Sequence, residues 1–112
     1  MRRLSLLPCL LALVGCGSST TKNLTSPIYA CRTFAGASCT RYSECASGVN
    51  VDSCTQLLEN VGSCDTASCG TEVYSSAAAQ QCLTDIQNQS CSDNLNNTPL
   101  ASCTPSNICV AP

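Results

Sequence analysis

Cysteine is the residue type of this chain with the most chemistry to offer. Twelve of the 112 residues are cysteine, and the chain contains neither histidine nor tryptophan. Without histidine, the chain has no Ser–His or Cys–His nucleophile pair and no His-based metal site. The cysteines also lack the C-x-x-C spacing of redox motifs and many zinc sites, since the closest pair, Cys64 and Cys69, is separated by four residues. The spacing predicts structural disulfides, with no metal and no cofactor.

Carboxylates are the other groups that could carry acid–base chemistry. The spacing of the carboxylates does not indicate a pair that could act as general acid and base. Seven scattered acidic residues in a small chain are typical of a solvent-exposed surface. The five basic residues are also scattered, which excludes a nucleic-acid-binding face. We therefore expect no enzyme, no catalytic residue and no cofactor-binding residue. The seven acids of the predicted domain are Glu44, Asp52, Glu59, Asp65, Glu72, Asp85 and Asp93.

The first fifteen residues have the pattern of a signal peptide. Met1–Arg3 is basic, and Leu4–Val14 is an eleven-residue, leucine-rich stretch without charge, followed by small residues from Gly15 onward. An apolar stretch of this length is too short to span a bilayer, which needs about 20 residues. The pattern predicts a signal peptide over residues 1–15.

The four residues Leu13, Val14, Gly15 and Cys16 resemble the lipobox of bacterial lipoproteins. The resemblance implies that the Cys16 thiol receives a diacylglyceryl group, that the chain is cleaved just before Cys16, and that the new amino group is acylated with a fatty acid such as palmitate. Two or three acyl chains anchor a protein stably in a membrane. Gly17 at the next position implies the outer membrane by the enteric sorting rule, with the protein facing the periplasm or the cell surface. The alternative is an ordinary secretory signal that is cleaved further along.

The segment after Cys16 is small, polar and rich in helix breakers. It reads GSSTTKNLTSP and has no hydrophobic period, so it cannot bury enough apolar area to order itself. We expect residues 16–27 to form a lipidated flexible tether. The cysteine-rich domain is then residues 28–112.

Disulfides are needed to stabilise this domain. Only 14 of its 85 residues are Leu, Ile, Val or Phe, too few for apolar burial alone to offset the ordering entropy. Each disulfide contributes about 2–4 kcal/mol, and an export signal leads to an oxidising compartment. The even number of remaining cysteines predicts five disulfides among Cys31, Cys39, Cys45, Cys54, Cys64, Cys69, Cys82, Cys91, Cys103 and Cys109.

Three segments show helical periodicity, namely Cys31–Cys45, Cys54–Cys64 and Ala79–Cys91. After Cys91 there is no period, and prolines and asparagines indicate coil. The fold class is therefore predicted to be all-α, a small disulfide-stapled three-helix domain with an irregular C-terminal tail. The predicted apolar positions are Cys31, Phe34, Ala35, Cys39, Tyr42 and Cys45 in the first helix, Cys54, Leu57, Leu58, Val61 and Cys64 in the second, and Ala79, Cys82, Leu83 and Ile86 in the third. The candidate N-caps are Asp52 or Ser53 for the second helix and Ser75 or Ser76 for the third.

One disulfide is predicted from the geometry of a helical hairpin. The connection Ser47–Val51 is short, so the first two helices should run antiparallel. Cys45 lies about one turn before this connection and Cys54 about one turn after it, which places both at the same height. The pairing Cys45–Cys54 is therefore favoured. The other eight cysteines allow about 105 pairings, among which we lean towards Cys39–Cys91, with Cys82 bonded to Cys31 or Cys64.

The order of the cysteines is also similar to that of short, cysteine-rich lipoproteins of myxobacteria and related bacteria. The similarity is carried by Cys31, Cys39, Cys45, Cys54, Cys64, Cys82, Leu83, Cys91 and Cys103. Cys69 departs from that pattern, and we expect its partner in the tail. The resemblance implies a fold and a location but no activity.

Two functions are consistent with the sequence. The first is a membrane-anchored envelope lipoprotein that acts as a binding or structural module for an unidentified protein partner. The alternative is a secreted, disulfide-rich inhibitor or effector miniprotein, with Cys64–Gly70 and Asp93–Pro99 as its candidate loops.

Overall fold

The computed structural model describes residues 24–112 as a helical domain. The predicted signal peptide, the lipobox and residues 16–23 of the predicted tether lie outside the described residues. The small, disulfide-stapled helical fold predicted from the sequence is confirmed. Its helices are α1 (Pro27–Cys45), α2 (Val51–Val61), α3 (Ser76–Asn88), α4 (Cys91–Leu95) and α5 (Pro105–Ile108), with 3-10 turns at Cys64–Thr66 and Ala101–Cys103. Two short strands, β1 (Val73–Tyr74) and β2 (Cys109–Val110), pair antiparallel.

The folded domain begins earlier than predicted. Helix α1 starts at Pro27, where the Ser26 side chain accepts a hydrogen bond from the Tyr29 backbone N–H. Leu24 is buried in the core, and its carbonyl accepts a 2.8 Å hydrogen bond from the Tyr74 hydroxyl. The prediction of a flexible tether as far as residue 27 is therefore wrong for residues 24–27. The reason is that Leu24, an apolar residue within a polar stretch, belongs to the buried cluster that also contains Ile108.

The second and third helices lie where the periodicity predicts, with altered ends. The N-cap of α2 is Asn50, whose side chain accepts from Ser53 N–H at 2.9 Å, and not Asp52 or Ser53. Asp52 and Ser53 lie inside the first turn, and Asn50, with its extended backbone, is placed to accept from a free N–H group three residues further along the chain. Gly62 lies at the C-cap of α2.

Ser75 caps α3 and accepts from Ala78 N–H at 3.1 Å, which confirms one of the two predicted caps. The helix ends at Asn88 and does not continue to Cys91. Gln89 is extended, and the Ser90 side chain then caps the separate helix α4. Cys91 therefore begins a new helix.

The core lies between α1 and α3. Ala30 and Ala37 of α1 pack with Leu83 and Ile86 of α3, and the C-terminal segment covers them with Ile108. Small side chains on α1 let the two helices approach closely, while Leu83 is the largest fully buried side chain. The four predicted apolar positions of α3 are all buried.

Helix α2 lies outside this core. None of its residues is buried, although it has the clearest helical pattern in the sequence. Leu57 is 61% exposed and Val61 is 75% exposed. The reason is that α2 packs mainly against α1 and the 3-10 turn at Cys64–Thr66, and a single neighbouring helix cannot cover the whole apolar stripe.

Candidate functional site

All ten cysteines of the described region form disulfides. Each helix except α5 contains at least one of these bonded cysteines. The Cα–Cα separations range from 4.8 to 5.8 Å, within the usual range for disulfides. The pairs are Cys31–Cys64, Cys39–Cys54, Cys45–Cys91, Cys69–Cys109 and Cys82–Cys103.

The favoured pairing Cys45–Cys54 is wrong. Cys54 is bonded to Cys39, and Cys45 is bonded to Cys91. The pairs Cys39–Cys54 and Cys31–Cys64 show that α1 and α2 are antiparallel, since the earlier cysteine of α1 bonds the later of the two partners. However, Cys54 lies opposite Cys39, about 9 Å along α1 from the expected position opposite Cys45. Cys39 and Cys45 also lie about 120° apart around α1, so they face different neighbours.

The weaker pairing expectations are also wrong, with one exception. Cys39 is not bonded to Cys91, and Cys82 is bonded to Cys103 in the tail and not to Cys31 or Cys64. The reason is that α3 packs against the 3-10 turn at Ala101–Cys103, which places Cys103 next to Cys82. The expectation that Cys69 has its partner in the tail is confirmed, since it is bonded to Cys109.

Two adjoining cavities form a groove on the surface of the domain. Their volumes are about 390 and 360 Å³, within the range of small-molecule pockets. Both are lined by Phe34, Ser38, Leu58 and Cys103. Helix α1 forms the floor, α2 forms one wall, and the C-terminal segment forms the other. We call this feature the apolar groove. It is lined further by Pro27, Ala30, Ala35, Pro105 and Ile108 in the first cavity and by Cys82, Ile86 and Leu100 in the second.

One end of the groove is polar. Gln89, Asn94, Asn97 and Thr98 line the second cavity there. The Gln89 side-chain amide donates a 3.0 Å hydrogen bond to the Thr98 carbonyl, and Asn94 Nδ2 lies 3.5 Å from Gln89 Oε1. The buried Asn94 Oδ1 atom accepts no hydrogen bond. The groove therefore has an apolar body and an uncharged polar end.

The two arginines of the described region are both engaged by acceptors. Arg32 forms an ion pair with Asp65, and this hydrogen bond raises the pKa of Arg32 above its usual value. Arg41 contacts Glu44 at 2.9 Å and donates from Nε to the Gln89 carbonyl at 2.8 Å. Within residues 24–112, no other basic residue is present to neutralise the remaining five carboxylates. The described domain is therefore acidic overall.

The carboxylates do not come together in a cluster that would indicate acid–base chemistry. Asp85 accepts from Ser102 and from Gln81, and Asp93 lies in the first turn of α4. Over residues 24–112, no group of three or more His, Cys, Asp or Glu side chains is placed to hold a metal ion. No helix in the described part of the chain is both long and apolar enough to cross a bilayer. Cys16, the predicted lipid attachment site, lies outside the described residues.

Sequence reasoning did not identify the apolar groove. Its floor and one wall come from predicted helices, but the periodicity places Leu58 on a face that is expected to be buried. The other wall comes from Leu100 and Ile108, which lie in a segment without periodicity. The feature of the sequence that could have indicated the groove is the apolar stripe of the second helix, which is wider than one neighbouring helix can cover.

Comparison of the chain with protein-family models, with curated proteins and with solved structures found no match in any of the three.

Proposed function

We propose that this chain is a lipid-anchored protein of the bacterial envelope whose folded domain is a binding module, with the apolar groove as its binding surface. The lipobox-like residues Leu13–Cys16 support the anchor. The five disulfides fit an oxidising compartment such as the envelope.

The observation that carries the binding role is the exposure of large apolar side chains in a domain that has few of them. Leu57, Leu58 and Val61 are exposed on α2, and Leu58 lines both cavities. A chain so poor in large apolar residues would be expected to bury them, because burial stabilises the fold. Contiguous exposed apolar surface is typical of binding sites. The disulfides supply stability by other means, which leaves these side chains available for a partner.

The anchor is tested by labelling growing bacteria with radioactive palmitate. The wild-type chain is expected to incorporate label, and the Cys16→Ala variant is not. Cys9→Ala is the matched control, because Cys9 lies in the predicted signal peptide, and this variant should incorporate label like the wild type. Equal labelling of Cys16→Ala and the wild type would refute the anchor.

The binding role is tested by a quantitative pull-down from native membranes with two variants on α2. Leu58→Asp places a charge in the wall of the groove, whereas Gln56→Asp places the same charge on an exposed polar position of the same helix that does not line it. Envelope proteins captured by the wild type should be lost with Leu58→Asp and retained with Gln56→Asp. Identical sets with both variants would contradict a role for the groove.

A second candidate function is protease inhibition by the loop Cys64–Cys69. Disulfides to Cys31 and Cys109 hold the two ends of this loop, and Asp65, Thr66 and Ser68 are exposed on it. A rigid exposed loop loses little conformational entropy when it binds a protease. An inhibition assay against a panel of proteases distinguishes this function, since Thr66→Pro in the loop should abolish inhibition and Leu58→Asp should leave it unchanged.

A further inference from the structure

We infer that the apolar groove holds one of the protein's own acyl chains, carried on Cys16, when the protein is outside a bilayer. The inference rests on the proposed lipid anchor and goes beyond it, because it names the ligand of the groove. If the acyl chain binds there, the groove has two states. When the protein is in water, the acyl chain fills the groove, and when the acyl chain is inserted in a membrane, the groove is open to a protein partner.

The start of the described chain lies beside the groove. Pro27, the first residue of α1, lines the first cavity, and Ala30 lines it one turn further on. Leu24 packs in the same cluster as Ile108, which lines the opposite wall of that cavity. The segment that connects the domain to Cys16 therefore leaves the domain at the apolar end of the groove.

The connecting segment is long enough to return the acyl chain to the groove. Cys16 precedes Leu24 by eight residues, which span at most about 27 Å when fully extended. A short tether of this kind keeps a ligand at an effective concentration in the millimolar range. Even weak affinity would then fill the groove.

The dimensions of the groove suit one acyl chain. From Pro27 to Ser38 the α1 floor extends about 16 Å, and the second cavity continues past Ser38 towards Thr98. A 16-carbon chain is about 18 Å long when extended, at the ~1.2 Å per bond of an extended backbone. The combined cavities are thus long enough for a single chain, while the remaining chains of a triacylated cysteine would stay outside.

Charge favours a tethered acyl chain over a free fatty acid or an acidic lipid. A free fatty acid carries a carboxylate, and the described domain has no unpaired cation to bind it, since Arg32 and Arg41 are both engaged by acceptors. The acyl chains on a lipoprotein cysteine are held by ester and amide bonds and are neutral. Burying an unpaired carboxylate is costly, whereas a neutral chain carries no such cost.

A bilayer competes with the groove and is expected to win. A membrane buries the whole acyl chain, at about 0.8 kcal/mol per CH₂ group, while the open groove covers the chain on one side only. The groove therefore protects the chain in water and releases it at the membrane.

The experiment is photo-crosslinking from the acyl chain itself. Bacteria grown with a diazirine-labelled palmitate incorporate the probe into the full-length lipidated protein, which is purified, freed of detergent in dilute solution and irradiated. After reduction of the disulfides, which releases Cys39 from Cys54, the tryptic peptide 33–41, which contains Phe34 and Ser38 of the groove floor, is analysed by mass spectrometry. Crosslinks are expected in water, and they should be lost after reconstitution into phosphatidylethanolamine–phosphatidylglycerol vesicles.

Two variants on α1 provide the matched comparison. Ser38→Glu places a carboxylate in the floor of both cavities and should lower the crosslink yield at least about tenfold. Thr40→Glu places the same charge on an exposed position that does not line the groove, and its yield should equal that of the wild type. Circular dichroism of both variants reports whether the fold is retained.

The inference is overturned if the lipidated chain crosslinks only outside the groove, if Ser38→Glu crosslinks as efficiently as Thr40→Glu, or if the crosslinks join two molecules and grow with protein concentration. The last result would make a second copy the occupant. A mass spectrum without lipid on Cys16 would refute the proposed anchor and this inference together, so the two failures are distinguishable.

Discussion

Two leucine-to-alanine substitutions distinguish the core of the domain from the exposed stripe of α2. Leu83 and Leu57 occupy comparable positions in the apolar patterns of their helices, but Leu83 is 0% exposed and Leu57 is 61% exposed. Removing a fully buried leucine side chain costs about 3 kcal/mol once the residual cavity is included. Scaled by the covered fraction of its surface, Leu57→Ala is expected to cost about 1 kcal/mol.

The assay is urea unfolding of the oxidised protein, followed by circular dichroism. Leu83→Ala should lower the free energy of unfolding by about 3 kcal/mol without changing the dependence on urea concentration. Leu57→Ala should shift the transition midpoint by about a third as much as Leu83→Ala. An equal loss of stability in the two variants would show that α2 is buried against a further element, and the exposed stripe and the groove wall would then both be wrong.

Three further predictions concern a disulfide, a tyrosine and two glycines. Replacing Cys45 and Cys91 by alanine removes a bond that spans 46 residues and should lower the free energy of unfolding by about 4 kcal/mol, while non-reducing peptide mapping of the wild type should link these two cysteines. Burial raises the pKa of Tyr74 above its ordinary value of 10.0, so its proton is held more tightly in the native state. The contribution of Tyr74 to stability should be constant below about pH 10 and fall above it, and Tyr74→Phe should reduce that fall in urea titrations at pH 9 to 12. Gly36 lies inside α1 with open space where the Cβ atom of an alanine would lie, so Gly36→Ala should raise stability by about 0.5–1 kcal/mol, whereas Gly48 has a φ of +78° and Gly48→Ala should lower it by about 1–2 kcal/mol in thermal unfolding.

Periodicity predicts which face of a helix is apolar but not what covers that face. The pattern of α3 leads directly to a buried face with Leu83 and Ile86. The equally clear pattern of α2 predicts that Leu57 is buried, but this side chain is exposed, because burial depends on how many elements pack against a helix. No spacing pattern marks Ile108 as a groove residue, since the turns of the C-terminal segment are irregular.

The disulfide pairing could not be predicted from the sequence for a related reason. A pairing requires the rotation of each helix about its axis as well as the height of each cysteine along it. The short connection predicts Cys54 at the height of Cys45, but in the structure Cys54 lies at the height of Cys39, and the rotation of α1 turns Cys45 towards Cys91. Cys16 is a different case, because its predicted role rests on a local motif and remains a prediction.

The order of the five disulfides along the chain has a consequence for biosynthesis. No bond joins two cysteines that are neighbours in sequence, since even the shortest, Cys39–Cys54, has Cys45 between its ends. Chains emerge N-terminus first during synthesis, so an oxidant that joins thiols in order of appearance would form no native bond. Every molecule oxidised in that way would have to be reshuffled by thiol–disulfide exchange, which takes seconds to hours. The yield of folded protein should therefore depend on a disulfide isomerase as well as on the oxidase that supplies the oxidising equivalents, and Cys45 must stay reactive until Cys91 has been synthesised.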